Sequence, residues 1–334
     1  MMAVQSYLDS LRANRFIRYL SVNVLGVAAL LAATTPAEQK PEMIPRDAGS
    51  DLLWKKLEAR ADEVAARLDG VMGIAIGDLT DGRSLLRNAE RVFTAASSIK
   101  LPVLIELYRQ DEQARAGAAG KSKLDDLYTF NPKDLVEDSQ IMVGLTPGVT
   151  RVTNRDLAQF TVAVSDNAAA NVLIDRVGMS NVNAMLRGLG LTKTMLRRKM
   201  MDIAAARRGD ENVGTPQDFS RLLETLYKGK VLSPESTKQL IKQLSTTKQS
   251  FIPRELPPIV QVANKPGELD GVRNDVGIVF APNRPFAIAV MTAYDRDERA
   301  AERAVSEVAL AAYDYFEMRG KTSEFGRVLP AEPK

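Results

Sequence analysis

Helical and alternating patterns of apolar residues occupy different parts of this chain. Apolar residues spaced for one helix face predict helices from about 51 to 68 and from about 298 to 318. Short apolar runs bounded by turn residues predict strands at 71–76, 84–86, 259–263, 276–280 and 286–291. The stretch between the two groups of strands, from about 97 to 248, is mainly helical in pattern. This order predicts an α/β fold of the α+β type, in which both ends of the chain complete one sheet around an inserted all-α subdomain.

The first 35 residues differ in pattern from the rest of the chain. Arg12, Arg15 and Arg18 precede fifteen mostly apolar residues, 19–33, and small residues follow. A helix that spans a membrane needs about 20 apolar residues, so this segment is typical of a secretory signal. Asn23 within the run leaves an uncleaved anchor as the alternative. We therefore expect a periplasmic or secreted protein that contacts a membrane only if this segment, 1–35, is retained.

The remaining chain divides by composition. A Pro-containing stretch, 36–50, predicts a linker, and 51–320 predicts one globular domain that holds the helical insertion. A C-terminal tail, 321–334, follows it. The length of 334 residues, with 45% hydrophobic and 26% charged residues, is ordinary for a globular protein. We expect this protein to be a monomer.

Composition excludes several classes of function. The net charge of +3 is too small to indicate nucleic-acid binding, and the basic clusters at 197–199 and 207–208 have acidic neighbours. The chain has no histidine and no cysteine, which excludes Ser-His-Asp triads, Cys-His pairs and His-based zinc sites. A serine hydrolase built from this chain must use a lysine or a carboxylate as its base. We expect no metal and no cofactor.

Two tetrapeptides place a serine three residues before a lysine. Ser97 and Lys100 open a run with helical spacing, so the amine would lie beside the hydroxyl on one helix face. Pro102 in the first turn agrees with a helix that begins here. Taken alone, the pattern also fits a serine that caps a helix beside a solvated lysine. The second match, Ser245 to Lys248, lies in a polar connecting segment, and we interpret it as accidental.

Two further motifs follow in order along the chain. Ser165-Asp166-Asn167 lies between two helical runs, and Lys265-Pro266-Gly267 precedes a strand-like run. Ser-x-x-Lys, Ser-Asp-Asn and Lys-Thr-Gly, in this order, are the signature of penicillin-recognising serine enzymes. With these motifs the chain resembles the class A β-lactamases and their serine hydrolase relatives. The resemblance runs from about Asp51 to Arg319 and includes 156–175, 182–183, 189–191 and Thr215-Pro216.

The resemblance implies a fold and a set of catalytic roles. The fold is an antiparallel sheet flanked by helices, with the active site where the sheet meets the helical subdomain. Ser97 would attack a lactam carbonyl and become acylated. Lys100 would be its base, provided that burial or a neighbouring cation lowers the pKa of the amine. Ser165 would pass a proton to the departing nitrogen.

The resemblance also implies how the substrate is held. Asn167 would bind Lys100 and a substrate amide through its two-sided amide group. Lys265 would attract a substrate carboxylate and lower the pKa of Lys100. The backbone N–H groups of Ser97 and Glu268 would form the oxyanion hole, because Glu268 follows Gly267 of the third motif. The implied substrate-binding residues are therefore Asn167, Lys265, Gly267 and Glu268.

The chain departs from the family pattern at two places. Pro266 stands where the family has Thr or Ser, which removes a hydroxyl that could contact a substrate carboxylate. The family's omega loop carries Glu with Asn four residues later to position a water for deacylation, and 195–215 contains no such pair. Asp202 is the nearest carboxylate candidate and Glu211 is the other, although both also fit a surface or capping role. We expect acylation to be faster than deacylation, with residual turnover dependent on Asp202.

Three functions follow from these expectations. The extent of the resemblance favours a β-lactam hydrolase. A cell-wall D-Ala-D-Ala peptidase shares the acylating groups, and a penicillin-binding protein would be acylated without turnover. In each case the partner is a small molecule, either a β-lactam or a peptidoglycan stem peptide.

Overall fold

The computed structural model describes residues 48–330, and the bounds of its elements are as follows. The strands are β1 (Val71–Asp78), β2 (Ser84–Arg87), β3 (Phe93–Thr94), β4 (Leu127–Thr129), β5 (Arg151–Thr153), β6 (Val213–Gly214), β7 (Val262–Leu269), β8 (Val272–Val279) and β9 (Phe286–Ala293). The helices are α1 (Ala48–Arg67), α2 (Lys100–Arg115), α3 (Asn154–Ala163), α4 (Asn167–Val177), α5 (Met179–Gly188), α6 (Ile203–Arg207), α7 (Pro216–Tyr227), α8 (Pro234–Leu244) and α9 (Glu298–Lys321). Short 3-10 helices lie at Ala96–Ile99, Pro132–Asp134, Met142–Gly144 and Ile252–Glu255.

Five strands form one antiparallel sheet in the order β2-β1-β9-β8-β7. Two of them come from the N-terminal part of the described chain and three from the C-terminal part, so both ends complete the sheet. The predicted α+β fold with an antiparallel sheet is therefore confirmed. The predicted all-α insertion is mainly helical but also contains strands, because β4 pairs with β5, and β6 pairs with β3.

Helices cover both faces of this sheet. On one face α1 and α9 enclose a core that includes Trp54, Ile288 and Phe316. On the other face α2, α7 and the inserted helices enclose a second core. Strand β9 lies between the two cores and is buried over seven of its eight residues. That position explains its nearly continuous apolar sequence.

Helix α2 lies inside the second core. Every residue from Lys100 to Tyr108 is buried, and Lys100 itself is 0% exposed. A helix that is buried on all sides presents no side chain to bulk water in that stretch. The alternative of a solvated lysine beside a capping serine is therefore wrong.

The strand predicted at 259–263 is displaced in the structure. Ile259 is 93% exposed, and β7 begins only at Val262 and continues through Lys265-Pro266-Gly267. The third motif thus lies inside a strand rather than before one. Proline removes one N–H from a sheet, and β7 tolerates it because β7 is the edge strand and pairs only with β8.

The predictions for the chain ends lie partly outside the described residues. The signal predicted at 1–35 lies wholly outside, and so does the linker up to residue 47, whereas α1 begins at Ala48 rather than at 51. Across 48–330, no helix combines the length and the apolar character that a membrane crossing requires. The described part of the C-terminal tail forms an isolated bridge between Thr322 and Val328.

Candidate active site

A cleft of about 690 Å³ lies between edge strand β7, the turn that precedes α2, and the helical region. Residues from all three motifs line it, namely Ser97, Ser165, Asn167 and Lys265, together with Glu268 directly after the third motif. The fold therefore brings together segments that are far apart in the sequence. Each of these five residues was a predicted site residue.

Ser97 lies in the 3-10 turn at Ala96–Ile99, directly before α2. The preceding Ala96 has a φ of 47°, in the left-handed region, which turns the chain sharply before the serine. Ser98 is buried on the other side, where its hydroxyl donates to the carbonyl oxygen of Lys265 at 3.2 Å. The predicted position of Ser97 at a helix start is confirmed, and its half-buried side chain borders the cleft.

The amine of Lys100 is directed at the second motif. Its Nζ donates to the carbonyl oxygen of Ser165 at 2.5 Å, to Ser165 Oγ at 3.0 Å and to Asn167 Oδ1 at 2.7 Å. No hydrogen bond joins it to Ser97 Oγ among residues 48–330, so the direct pair expected from helical spacing is not formed. Burial, and then the charge of Lys265, lowers the pKa of Lys100 well below its ordinary value.

Ser165 links two lysines. Its Oγ accepts hydrogen bonds from Lys100 Nζ and from Lys265 Nζ, each at 3.0 Å. Its φ of 57° lies in the left-handed region, between α3 and α4. Backbone strain of this kind costs about 1–3 kcal/mol, and the surrounding contacts must hold it in place. The next residue contributes to this, because Asp166 caps α4 through Ala169 N.

The side-chain amide of Asn167 bonds both to Lys100 and to a neighbouring loop. Its Oδ1 accepts from Lys100, and its Nδ2 donates to the carbonyl oxygen of Glu137 at 3.1 Å. An amide nitrogen carries two hydrogens, so the second one is left for a ligand in the cleft. The predicted contact to Lys100 is therefore present.

Lys265 is 0% exposed, although it is one of the residues that line the cleft. Besides Ser165 Oγ, it donates to the carbonyl oxygen of Pro266 at 3.0 Å. Burial, and then the charge of Lys248, lowers the pKa of Lys265 to about 7, while Asp275 and Glu268 act in the opposite direction. The protonation state of this amine is thus poised near neutral pH.

Gly267 sets the separation between β7 and the serine turn. A Cβ at this position would lie 2.8 Å from Ser98 N and 3.0 Å from the carbonyl oxygen of Ala95. Only glycine lets the strand approach the turn so closely. Glu268 follows it, exposed at the mouth of the cleft.

A family model of known proteins matches this chain over residues 56–316, and its description is "Beta-lactamase enzyme family". The match covers more than half of the chain and includes all three motifs. The chain belongs to the β-lactamase enzyme family. Its catalytic domain is thus a β-lactamase-like serine hydrolase domain, as the resemblance implied.

Individual β-lactamases agree with this assignment at modest identity. Beta-lactamase 1 of Streptomyces cacaoi is 26% identical over 264 residues, which cover 74% of this chain and 80% of that protein. Beta-lactamase Toho-1 of Escherichia coli is 28% identical over 268 residues, which cover 77% of this chain and 89% of that protein.

Solved structures show the same fold. The crystal structure of a β-lactamase from Sphaerobacter thermophilus has a TM-score of 0.70 and 30% identity, and the match covers 79% of this chain and 97% of that one. PBP-A has a TM-score of 0.69 and 25% identity, with coverage of 78% and 96%. A PBP-A mutant, similar to the same degree, was solved as an acyl-enzyme complex with penicillin G.

Asp202 does not take the place of a β-lactamase's deacylating carboxylate. The structure leaves it exposed and outside the cleft lining, where its Oδ1 caps α6 by accepting from Ala205 N at 2.9 Å. The cleft-lining residues next to Asp202 in this loop are Met200, Met201 and Ile203. The structure therefore supports the alternative of a capping carboxylate and gives no support to Asp202 as the residue that activates a water.

Asn171 fixes the loop at Met200. Its Oδ1 accepts from Met200 N at 2.7 Å, and its Nδ2 donates to the carbonyl oxygen of Met200 at 3.1 Å. The apolar side chain of Met200 thus lines this wall of the cleft, and two hydrogen bonds from Asn171 hold its backbone. The second carboxylate candidate, Glu211, does line the cleft, but its Oε1 accepts from Arg198 at 2.7 Å and from Asn212 N at 2.9 Å.

Lys248 is a cleft residue that the sequence interpretation missed. It belongs to the second Ser-x-x-Lys match, in the segment that follows α8, and it lines the cleft. The serine of that match does not: Ser245 Oγ donates to the carbonyl oxygen of Ile241 at 2.8 Å and accepts from Gln261. The one feature of the sequence that could have indicated a role for Lys248 is its position shortly before the third motif.

Proposed function

We propose that this protein opens β-lactam rings through an acyl-serine intermediate on Ser97, and that acylation is faster than deacylation. The observation that carries the proposal is the shared hydroxyl of Ser165, which accepts hydrogen bonds from both Lys100 and Lys265 beside the nucleophile. This arrangement connects Lys100, a base of lowered pKa, to Ser165. Ser165 would donate a proton to the leaving nitrogen of the lactam.

Ser97, Lys100 and Ser165 together account for every proton that moves in the acylation step. Ser97 Oγ bonds to the lactam carbonyl carbon while its proton passes to the neutral amine of Lys100. The negative oxygen then rests between the backbone N–H groups of Ser97 and Glu268. When the carbon–nitrogen bond breaks, Ser165 gives its proton to the nitrogen and regains one from Lys100. The lowered pKa of Lys100 supports the first transfer.

Deacylation lacks the Glu-x-x-x-Asn pair that the family's omega loop carries. A water that attacks the acyl-serine ester needs a positioned general base within hydrogen-bond reach. The loop wall offers the apolar side chains of Met200, Met201 and Ile203, and Arg198 holds the cleft-lining Glu211 through Oε1. We propose that the acyl-enzyme therefore accumulates during the reaction.

A cell-wall D-Ala-D-Ala peptidase or a penicillin-binding protein without turnover is the second candidate. The apolar stretch of the loop wall at Met200, Met201 and Ile203 favours it, as does the similarity to PBP-A. A coloured cephalosporin assay combined with intact-mass measurement separates these functions. Steady colour change indicates a hydrolase, a persistent adduct indicates a penicillin-binding protein, and release of D-Ala from a stem peptide indicates a peptidase. No adduct and no turnover with any of these would overturn the proposal.

We further propose that the protein acts as a monomer after export through its N-terminal segment. The basic and apolar pattern of 1–35 supports export. Fractionation of cells that express the full chain, with N-terminal sequencing of the product, tests it. A cytoplasmic product with an intact N-terminus would contradict it, and size-exclusion chromatography with light scattering tests the monomer.

A further inference from the structure

Asp138 lines the cleft on a short segment that precedes the second motif in the sequence. Its side chain is exposed, and among residues 48–330 its carboxylate forms no ion pair and no hydrogen bond. The proposed reaction steps do not use this carboxylate. It is therefore available to a group that a ligand brings into the cleft.

The backbone of Asp138 is held against the second motif. Its carbonyl oxygen accepts from Asn167 N at 3.3 Å, and the carbonyl oxygen of Glu137 accepts from Asn167 Nδ2 at 3.1 Å. On the other side of Asp138, the hydroxyl oxygen of the buried Ser139 accepts from Ala168 N at 3.1 Å. Residues 137–139 are thus bonded to the start of α4 and lie beside Asn167.

Asp138 adopts a left-handed backbone conformation, with a φ of 57°. This conformation is uncommon outside glycine, although Asp and Asn adopt it more readily than most residues. Backbone strain of this kind persists only where the surrounding contacts over-determine it. The bonds from Asn167 and Ala168 are such contacts, and they fix the direction in which the side chain of Asp138 leaves the backbone.

The charge of Asp138 acts on the catalytic lysine. Burial, and then the charge of Lys265, lowers the pKa of Lys100, whereas the charges of Asp166 and Asp138 act in the opposite direction. Asp166 is buried, and its oxygens accept from three backbone N–H groups. Of these two carboxylates, only that of Asp138 remains open to a ligand.

The position of Asp138 beside Asn167 indicates which part of a substrate it would meet. In the proposed reaction, the remaining N–H of Asn167 Nδ2 would donate to the amide carbonyl of the acyl group. The α-carbon of that group is bonded directly to this carbonyl carbon. A charged substituent on the α-carbon would therefore lie beside the segment 137–139.

Glu211 and Glu268 also line the cleft, but neither has this position. Glu211 is held by Arg198, and Glu268 follows the third motif on β7. The free carboxylate on the Asn167 side of the cleft is thus that of Asp138.

We propose that Asp138 is a specificity-determining residue that favours substrates with an ammonium group on the acyl side chain and disfavours substrates with a carboxylate there. The inference rests on the proposed function and adds an acyl side-chain preference to it. A free carboxylate attracts a cation and repels an anion that is brought next to it, so the two substituents should respond in opposite directions to the loss of its charge.

Three penicillins that differ at one carbon test this preference. The α-carbon of the acyl side chain carries an amino group in ampicillin, only hydrogen in benzylpenicillin and a carboxylate in carbenicillin. Acylation of the full chain by each compound is followed by time-resolved intact mass at about pH 6.5. An α-amino group, with an ordinary pKa of about 7.7–8.0, is mostly charged at that pH.

Two variants are compared with wild type. Asp138→Asn removes the charge, keeps the size of the side chain and tolerates the left-handed backbone. Glu137→Gln is the matched control, because Glu137 is the neighbouring exposed carboxylate and lies outside the cleft lining.

We expect Asp138→Asn to slow acylation by ampicillin about twofold to fivefold, as for an ion pair at an exposed site, and to accelerate acylation by carbenicillin by a similar factor. The rate with benzylpenicillin should stay close to wild type, and Glu137→Gln should leave all three rates close to wild type. A gain with carbenicillin excludes a damaged fold as the cause. The same change with all three compounds, or no change with any, would overturn the role of Asp138. Failure of wild type to be acylated by any of the three would overturn the proposed function itself, so the two failures are distinguished.

Discussion

Lys100 Nζ donates to both the carbonyl oxygen and the hydroxyl of Ser165, at 2.5 and 3.0 Å, across 65 residues of sequence. The base and the proton donor of the proposed reaction are thus bonded directly to each other, in addition to their contacts with Asn167 and Lys265. The strained backbone of Ser165 is retained because this buried amine satisfies its carbonyl oxygen. Displacement of either side chain should therefore disturb both functions.

Ser97 should be the residue that a penicillin acylates, and Ser245 should not. Of these two serines only Ser97 borders the cleft, whereas Ser245 Oγ donates to the carbonyl oxygen of Ile241. Ser97→Ala should lose the adduct completely, and the matched variant Ser245→Ala should retain it. Peptide mass spectrometry after incubation with benzylpenicillin locates the label. Label retained in Ser97→Ala would show that another nucleophile acts.

Lys265 should make acylation by carboxylate-bearing lactams dependent on pH. Because its pKa is lowered to about 7, the amine is charged below that pH in the free protein and loses its charge as the pH rises through it. The second-order rate for an acid should then fall above about pH 7, whereas the rate for the methyl ester should not. Lys265→Ala should cost the acid about tenfold to a hundredfold more than the ester.

Stopped-flow rates between pH 6 and 9 check this assignment. If Lys265→Ala lowers acylation by acid and ester equally, Lys265 acts through Ser165 or Lys100 rather than on the substrate. In that case the alkaline fall should also be the same for both compounds.

Met200 should limit deacylation. Its backbone is held by Asn171 and it lines the cleft, so Met200→Glu would place a carboxylate in the cleft wall on a fixed support. A positioned general base contributes about a hundredfold or more to the rate. Wild type should show a burst of product equal to the enzyme present and then slow turnover, and Met200→Glu should shorten the lifetime of the acyl-enzyme by about that factor.

Two control variants sharpen this prediction. Met200→Gln has a similar size without the charge and should leave the lifetime long. Asp202→Asn should leave the steady-state rate unchanged, because asparagine still caps α6 and the residue lies outside the cleft lining. Turnover without a burst in wild type, or a large loss in Asp202→Asn, would place the activated water elsewhere.

Gly267→Ala should damage both stability and acylation. The new Cβ would lie 2.8 Å from Ser98 N, so β7 and the serine turn must separate. Overpacking of this kind costs about 1–3 kcal/mol of unfolding free energy. Gly188→Ala is the control, since a Cβ there meets no atom within 4 Å. Urea unfolding and the rate of acylation measure the two effects, and a Gly267→Ala variant as stable and active as the control would contradict the close approach.

The sequence by itself determined the fold class, the order of the three motifs and the start of α2. These features depend on local patterns in the sequence. The patterns are the apolar spacing, a proline in the first helical turn, and short motifs that occur in a fixed order. It also anticipated the lowered pKa of Lys100, because a serine hydrolase without histidine requires such a base. The strand over 259–263 was misplaced, since no local pattern distinguishes an edge strand that tolerates Pro266 from a loop.

Only the tertiary structure decided which side chains face the cleft. Asp202 was expected inside and lies outside as a helix cap, whereas Lys248 was interpreted as accidental and borders the site. The direct bond between Ser97 and Lys100 was expected from helical spacing, but the amine donates instead to Ser165 and Asn167, which the segment between α3 and α4 brings next to it. Side-chain direction and burial depend on elements that are distant in sequence, and a local pattern does not contain them.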